Sequence, residues 1–154
     1  MTLEDELAGM DMLRILKMCL IHDLGEAIHG DARAVGQSQH PNKSEQEKAD
    51  LLPLTRALDE PQRAGIMALW QAYEDATSPK AKAVKALDKL ETLLPHNPGL
   101  NRPDFDDAFN LTCGQKHTRV DPLFALMRSL LDDGTRRRIA ESGKSSNPQR
   151  AGRT

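Results

Sequence analysis

Apolar side chains recur every three or four residues along much of the chain, which is the spacing of amphipathic helices. The first such segment extends from Thr2 to about Ile28, and four leucines fall toward one face of it: Leu13, Leu16, Leu20 and Leu24. Further helices are expected at 44–58, 59–76, 81–94, 104–111 and 121–131, with a loop at 113–118. No stretch of useful length alternates between apolar and polar residues, as a half-buried strand would. The pattern therefore predicts an all-α fold.

The composition changes at two places along the chain. Residues 32–43 are rich in Gly, Gln, Ser and Asn, which is typical of a surface loop. From Gly134 onward the chain is basic and has almost no apolar side chains, which predicts a disordered tail. A chain of 154 residues is long enough for one domain with a single core. We therefore expect a helical bundle over residues 1–133 and a disordered basic tail over residues 134–154.

Charge and cysteine content narrow the classes of function. The net charge is −2, so the chain lacks the basic surface that nucleic-acid binding needs. A signal peptide begins with basic residues followed by an apolar run, whereas residues 1–9 are acidic. No apolar run is long enough to span a membrane. The two cysteines, Cys19 and Cys113, lie far apart in the sequence and do not indicate a secreted disulfide scaffold. We expect a cytoplasmic protein without a nucleic-acid or membrane partner.

The run LIHDLGEAIHGD (residues 20–31) brings an imidazole and several carboxylates close together. His22 and Asp23 are adjacent, and in a helix Glu26 would lie one turn further on, on the same side. Such a density of nitrogen and oxygen donors suits a divalent metal ion, or a general base beside one. Because the apolar run LKMCLI comes directly before it, the group is expected to lie against a core, where buried charges need a partner or an ion.

Asp88 lies between Leu87 and Leu90, at the edge of the apolar stripe of the helix expected at 81–94. One explanation is an ordinary exposed charge, since Lys85 and Lys89 are close enough in the helix to pair with it. The other is a third metal ligand, contributed from a second helix to the His22–Asp23 pair.

The segments HDLGEAIHGD and AKAVKALDKLE together resemble the HD-domain metal-dependent phosphohydrolases, in particular the 5′-deoxynucleotidase-like branch. The stretch that carries Trp70, Tyr73 and Glu74 is similar to one in that branch, and the resemblance extends from about Met12 to Phe109. It implies an all-α HD-domain bundle in which His22, Asp23 and Asp88 are metal ligands. It also implies that Glu26 and Asp31 activate the water and assist the leaving group.

The activity that the resemblance implies is hydrolysis of a phosphate monoester, a 2′-deoxynucleoside 5′-monophosphate, to nucleoside and phosphate. The implied cofactor is a divalent ion, and a His/Asp ligand set accepts Co, Mn, Fe, Zn or Mg. The implied partners are a small nucleotide substrate and a second copy of the chain, as a homodimer.

The sequence departs from the family pattern at one point. Family members supply a further histidine ligand from a helix upstream of the His-Asp pair, and residues 1–21 contain no histidine. We therefore expect an N-terminally shortened bundle, with an apolar face left exposed where the absent helices would pack. The alternative function is a catalytically impaired or truncated protein that acts as a non-enzymatic helical interaction module. The joint presence of five matching residues favours the enzyme: His22, Asp23, Glu26, Asp31 and Asp88.

Overall fold

A computed structural model describes residues 3, 5–30, 42–98, 101–102 and 105–142 of the chain. These residues form helices and no strand, so the all-α prediction is confirmed. The helices are α1 (Met12–Ile21), α2 (Glu26–His29), α3 (Lys43–Thr55), α4 (Glu60–Asp75), α5 (Pro79–Leu93), a short 3₁₀ helix (Leu94–His96), α6 (Asp107–Asn110), α7 (Gln115–Thr118) and α8 (Pro122–Ser142). Within the described ranges, no helix combines the length and the hydropathy needed to cross a membrane.

The first helix is shorter than the leucine spacing predicts. It begins at Met12 because the carboxylate of Asp11 caps its first turn, accepting a hydrogen bond from the Arg14 amide at 3.0 Å. It ends at Ile21, and a non-helical turn separates it from α2. The predicted continuous helix to Ile28 is therefore wrong, and the chain bends at the segment that carries His22 and Asp23.

The side of α1 that faces the core is not the leucine side. Ile15 and Met18 are buried, whereas Leu20 is 81% exposed and two further leucines, Leu13 and Leu16, are also exposed. The helix packs against α4, which contributes the buried ring of Trp70. The periodicity identified the helix correctly, but it could not show which of two apolar stripes is buried.

A capping residue sets the start of α4, where a helix is expected from the sequence. Asp59 caps α4 by accepting a hydrogen bond from the Gln62 amide at 2.9 Å, and Pro61 occupies the first turn. The helix expected at 44–58 ends earlier, at Thr55, and Pro53 lies inside its last turn. α3 packs against both α2 and α4, so it lies between the turn after α1 and the rest of this bundle.

The chain divides into two compact units, residues 1–85 and residues 86–154, and α5 passes from one into the other. In the second unit, α6 and α7 pack on α8. The guanidinium of Arg128 on α8 bonds to the Asp132 carboxylate at 2.6 Å and to the Asn110 carbonyl at 2.7 Å, and also reaches the carbonyl of Cys113. One buried cation thus connects α8 to the end of α6 and to the turn before α7.

Two segments of the second unit differ from the sequence-based expectation. The stretch 113–118, expected as a loop, contains α7. α8 continues through residues 134–142, which the composition assigned to the tail, so the expected boundary at residue 133 falls inside a helix. The remaining tail residues, 143–154, lie outside the described residues.

The reason for the longer helix is that its inward side combines one apolar residue, Ile139, with polar residues that form hydrogen bonds. The Arg138 side chain on α8 bonds to Asp107, which is 1% exposed, with 2.8 Å between Nε and Oδ1. The hydroxyl of Thr135 donates to Asn97 Oδ1 at 3.0 Å. A pattern search that counts apolar residues does not detect a helix face that is buried through hydrogen bonds.

Candidate functional site

His22 occupies the position directly after α1, and both nitrogens of its ring are accounted for. Nδ1 lies 2.8 Å from the carbonyl oxygen of Cys19, one turn back in the helix. Because a carbonyl oxygen can only accept, Nδ1 carries the hydrogen. Nε2 lies 3.1 Å from Oδ2 of Asp23. The imidazole is thus held at one nitrogen and faces a carboxylate with the other.

This arrangement fits a divalent metal ion. In the neutral ring with hydrogen on Nδ1, Nε2 is an acceptor, and it faces another acceptor in Asp23. Two facing acceptors are satisfied either by a proton on Nε2 or by a cation that both bind. A backbone carbonyl that accepts from the second nitrogen is also the usual outer contact of a metal-binding histidine. The side chains of His22 and Asp23 are 15% and 65% exposed, so ions in solvent reach the pair.

An aromatic ring and a lysine support the imidazole from the side. The ring of Tyr73 on α4 lies 5.0 Å from that of His22, centroid to centroid, at an interplanar angle of 59°. Lys85 Nζ lies 3.8 Å from the centroid of the Tyr73 ring and 2.7 Å from Oε1 of Glu74. The sequence indicated Tyr73 only as part of the family resemblance, and Lys85 only as a possible partner of Asp88. The order Tyr73-Glu74 within the resemblance was the available signal.

Glu26 is placed by tertiary contacts and not by the helical spacing that the sequence suggested. Residues 22–25 form a turn, so Glu26 does not continue the helix that ends before His22. Its Oε1 lies 2.8 Å from Nζ of Lys43, the first residue of α3. The same Nζ lies 3.2 Å from Oε1 of Glu47, one turn further along α3. Sequence reasoning did not identify Lys43 as part of the site.

One face of α3 holds the whole segment from the turn to the end of α2. Besides the Lys43 contact, Gly25 touches Glu47 so closely that an added Cβ would lie 2.8 Å from both the Cβ and the carbonyl oxygen of Glu47. At the end of α2, Nδ1 of His29 lies 2.6 Å from Oδ2 of Asp50. Residues 43, 47 and 50 share one side of a helix, so α3 determines the position of the site segment as a unit.

The carboxylates of this region have shifted pKa values with clear causes. Burial raises the pKa of Glu47, and the neighbouring Lys43 offsets that only in part. Burial also acts to raise the pKa of Glu74, but the hydrogen bond and charge of Lys85 outweigh it, so the pKa is lowered overall. The hydrogen bond from His29 lowers the pKa of Asp50. A lysine thus helps to lower the pKa of Glu74 and a histidine that of Asp50, whereas burial leaves the pKa of Glu47 raised.

Two of the expected site residues stand apart from this description. Asp88 lies on α5 in the second unit, where its side chain is 15% exposed and Oδ2 is 3.0 Å from Nζ of Lys89. Lys85, the other lysine considered as its partner, pairs with Glu74. Asp31 lies outside the described residues. The roles of Asp88 as third ligand and of Asp31 in catalysis remain predictions.

The structure brings His22 and Asp23 together, and it places Glu26 on the next short helix. In the part of the chain that the structure describes, no group of three or more His, Cys, Asp or Glu side chains is arranged to hold a metal ion. The His22–Asp23 pair thus offers two donor atoms, fewer than the four ligands of a tetrahedral metal site.

Comparisons with known proteins agree with the all-α HD-domain fold that the sequence predicts. A family model described as HD domain matches residues 1–127. The 5′-deoxynucleotidase HDDC2 of Danio rerio is 40% identical over 81 residues, which are 53% of this chain and 40% of that protein. The same-named protein of Dictyostelium discoideum is 33% identical over 123 residues, 75% of this chain and 63% of that protein. This chain thus spans less than two thirds of the length of either relative.

A third relative aligns with nearly the whole chain. The 5′-deoxynucleotidase HDDC2 of Xenopus laevis is 30% identical over 151 residues, 95% of this chain and 72% of that protein. No solved structure matches the chain. From the family match over most of its length and from this relative, we conclude that the chain belongs to the HD-domain family, in its 5′-deoxynucleotidase-like branch.

Proposed function

We propose that this chain hydrolyses 2′-deoxynucleoside 5′-monophosphates to nucleoside and phosphate, with a divalent metal ion as cofactor. The observation that carries the proposal is the His22 ring, which is fixed at Nδ1 by a carbonyl and turns Nε2 toward the Asp23 carboxylate. The substrate class comes from the relatives, whose names are 5′-deoxynucleotidases. Asp88 is proposed as the third protein ligand of this ion, in addition to His22 and Asp23.

When bound, a divalent ion supplies positive charge and Lewis acidity beside the phosphoryl group. The residues of the chain supply the proton transfers. We propose that a carboxylate oxygen of Glu26 orients a water molecule and takes one of its protons as the water oxygen bonds to phosphorus. The bond between phosphorus and the 5′ oxygen breaks, and Asp31 donates a proton to that oxygen. The products are the neutral nucleoside and inorganic phosphate.

The donor set does not select one metal. Imidazole suits Co²⁺, Fe²⁺ and Zn²⁺, and carboxylates suit Mn²⁺ and Mg²⁺ as well. We propose a divalent ion from this group, to be identified by adding each metal back to chelator-treated protein and measuring phosphate release.

The direct test is phosphate release from deoxyadenosine and adenosine 5′-monophosphates, with Co²⁺, Mn²⁺ or a chelator. These two substrates differ by one hydroxyl, so their ratio measures the preference for deoxyribose. We expect metal-dependent release that is faster with the deoxynucleotide. Asp23→Ala and Asp88→Ala should each abolish it, whereas Asp75→Ala, which removes an exposed carboxylate on α4, should not.

The same assay also tests the alternative function, a non-enzymatic helical interaction module. If the chain is folded by circular dichroism yet releases no phosphate with any of these metals, the enzyme proposal is wrong and the alternative gains support. Retained turnover in Asp23→Ala would instead overturn the assignment of the metal site.

Two further features are part of the proposal. We propose a homodimer, supported by the exposed leucine face of α1, which a second copy could cover. Sedimentation of the chain and of its Leu20→Glu variant tests this, with the variant expected to be monomeric.

We also propose the cytoplasm as its compartment, which a chain with only two distant cysteines suits. Fractionation of cells that express the full-length protein tests this.

A further inference from the structure

We propose that Lys43 is a positioning residue of the hydrolase site, which holds the Glu26 carboxylate in the orientation needed to take a proton from water. This inference rests on the proposed function, because that function gives Glu26 its role as base. It adds a residue that neither the His-Asp motif nor the Asp88 helix contains, since Lys43 begins α3.

The contact between the two side chains is short and partly withdrawn from water. Lys43 Nζ lies 2.8 Å from Glu26 Oε1, and the two side chains are 27% and 18% exposed. Hydrogen bonds between ionised groups are stronger than neutral ones, and partial burial reduces screening by solvent. Glu26 begins a four-residue helix that follows a non-helical turn, so local structure alone constrains it weakly.

The helix that carries Lys43, α3, is itself held in place. Glu47, one turn along α3, is in contact with Gly25, the residue directly before Glu26, and no Cβ would fit between them. Asp50 bonds to His29 at the other end of α2. Because α3 is anchored to the segment on both sides of Glu26, the Lys43 ammonium approaches the carboxylate from a defined direction.

Lys43 also separates carboxylates that would otherwise repel each other. Its Nζ lies between Glu26 and Glu47, at 2.8 and 3.2 Å from one oxygen of each. Its charge also acts on Glu74, which forms an ion pair with Lys85. Without the Lys43 ammonium, Glu26 and Glu47 face each other as like charges. Glu26 lies on the shorter helix and is therefore the side chain that moves.

An ion pair that only stabilises the fold would have the same distances. The test must therefore separate an effect on the position of the Glu26 carboxylate from an effect on the stability of the protein. The variants are Lys43→Met, which keeps most of the aliphatic stem, and Lys43→Arg, which keeps the charge. Lys48→Met is the matched control, since it removes an exposed lysine of α3 whose Nζ lies 3.1 Å from Gln71 Oε1. Glu26→Gln and the double variant Glu26→Gln/Lys43→Met complete the set.

We expect Lys43→Met to lower kcat by about a hundredfold, as displacement of a catalytic group by about 1 Å does, with KM little changed. Lys43→Arg should recover most of the activity, and Lys48→Met should behave as the unsubstituted protein. In the Glu26→Gln background, Lys43→Met should cause little further loss, because its effect passes through Glu26. An equal loss in both backgrounds contradicts the proposal.

Crystal structures of the metal-free protein and of Lys43→Met give a readout independent of activity. We expect the Glu26 carboxylate to be displaced in the variant, while α3 and the Gly25–Glu47 contact remain. An unmoved Glu26 overturns the positioning role. If the unsubstituted protein releases no phosphate, the proposed function fails, and the crystal structures still decide whether Lys43 positions Glu26.

Discussion

The carbonyl oxygen of Cys19 accepts a hydrogen bond of 2.8 Å from Nδ1 of His22. The two residues are one helical turn apart, so the last turn of α1 determines which nitrogen of the ring carries hydrogen. Nε2 is left to face Asp23 at 3.1 Å. A backbone carbonyl performs this orienting function, and no substitution at position 19 removes it directly. The importance of the orientation of the His22 ring can instead be tested by substituting the side chains packed against it.

We expect Tyr73→Leu to weaken Co²⁺ binding by roughly tenfold, the lower end of the effect of removing an outer contact of a metal site. The leucine cannot replace the ring that lies beside His22 and beneath Lys85, so the imidazole gains freedom. Isothermal titration of chelator-treated protein with Co²⁺ measures the change. Tyr73→Phe keeps the ring and should bind more tightly than Tyr73→Leu; equal affinities in the two variants would contradict the supporting role.

Gly25→Ala should destabilise the fold by about 1–3 kcal/mol, because its new methyl group overlaps the backbone of Glu47. Gly65→Ala is the matched control, since that position lies inside α4 and nothing lies within 4 Å of an added Cβ. Alanine there should stabilise the protein by about 0.5–1 kcal/mol through its helix propensity. Urea denaturation measures both free energies of unfolding, and a shift of the same sign in both variants contradicts the close contact at Gly25.

Arg128→Met should destabilise the second unit by roughly 3–5 kcal/mol, because it leaves the buried Asp132 carboxylate without its partner. The control lies on the same helix: Arg136 pairs with Asp133 at 2.8 Å, but both side chains are exposed. Arg136→Met should therefore cost less than about 1 kcal/mol. Thermal or urea unfolding of the two variants provides the comparison, and similar losses would mean that burial of Arg128 is not what matters.

Asp50 should make the stability depend on pH in the acid range. The hydrogen bond from His29 lowers its pKa in the folded state, so the folded protein binds this proton less readily than the unfolded chain. Its contribution is thus present above the usual pKa of an aspartate and is lost as the pH falls through the lowered value. Asp50→Asn should reduce stability at pH 7 and have a smaller effect near pH 2.5, as measured by urea unfolding.

A control for this pH dependence is Asp75→Asn. Asp75 is exposed on α4 and accepts a hydrogen bond only from the neutral side chain of Gln71 among the contacts described for it. Because this contact is to a neutral side chain at the surface, Asp75→Asn should reduce stability at pH 7 by less than Asp50→Asn does. If Asp50→Asn and Asp75→Asn have the same pH profile, the contact between His29 and Asp50 does not contribute in the way we infer.

Features that depend on residues close in sequence could be predicted without the structure. The expected start of α4 at residue 59 agrees with the structure, because its cap joins Asp59 to the Gln62 amide, three residues on. The proximity of His22 and Asp23 follows from their adjacency. The all-α fold follows from apolar spacing, which is a property of single segments.

Features that depend on distant residues could not be predicted in this way. Lys43 reaches Glu26 across 17 positions, through a segment whose composition indicates only a loop. The predicted convergence of His22 and Glu26 on one helix was wrong, because the Cys19 carbonyl bonds to the His22 side chain and the helix gives way to a turn. A continuing helix would use that carbonyl for the Asp23 amide.

The sequence by itself determined the helical class of this chain, the start of α4 and the adjacent His-Asp pair, because each depends on groups a few residues apart. The tertiary structure alone decided which side of α1 is buried, how α3 holds Glu26, and why α8 continues past Gly134. In the last case Arg138 stabilises the helix by bonding to Asp107, which lies 31 positions earlier. Such contacts depend on how helices pack, and local periodicity carries no information about that packing.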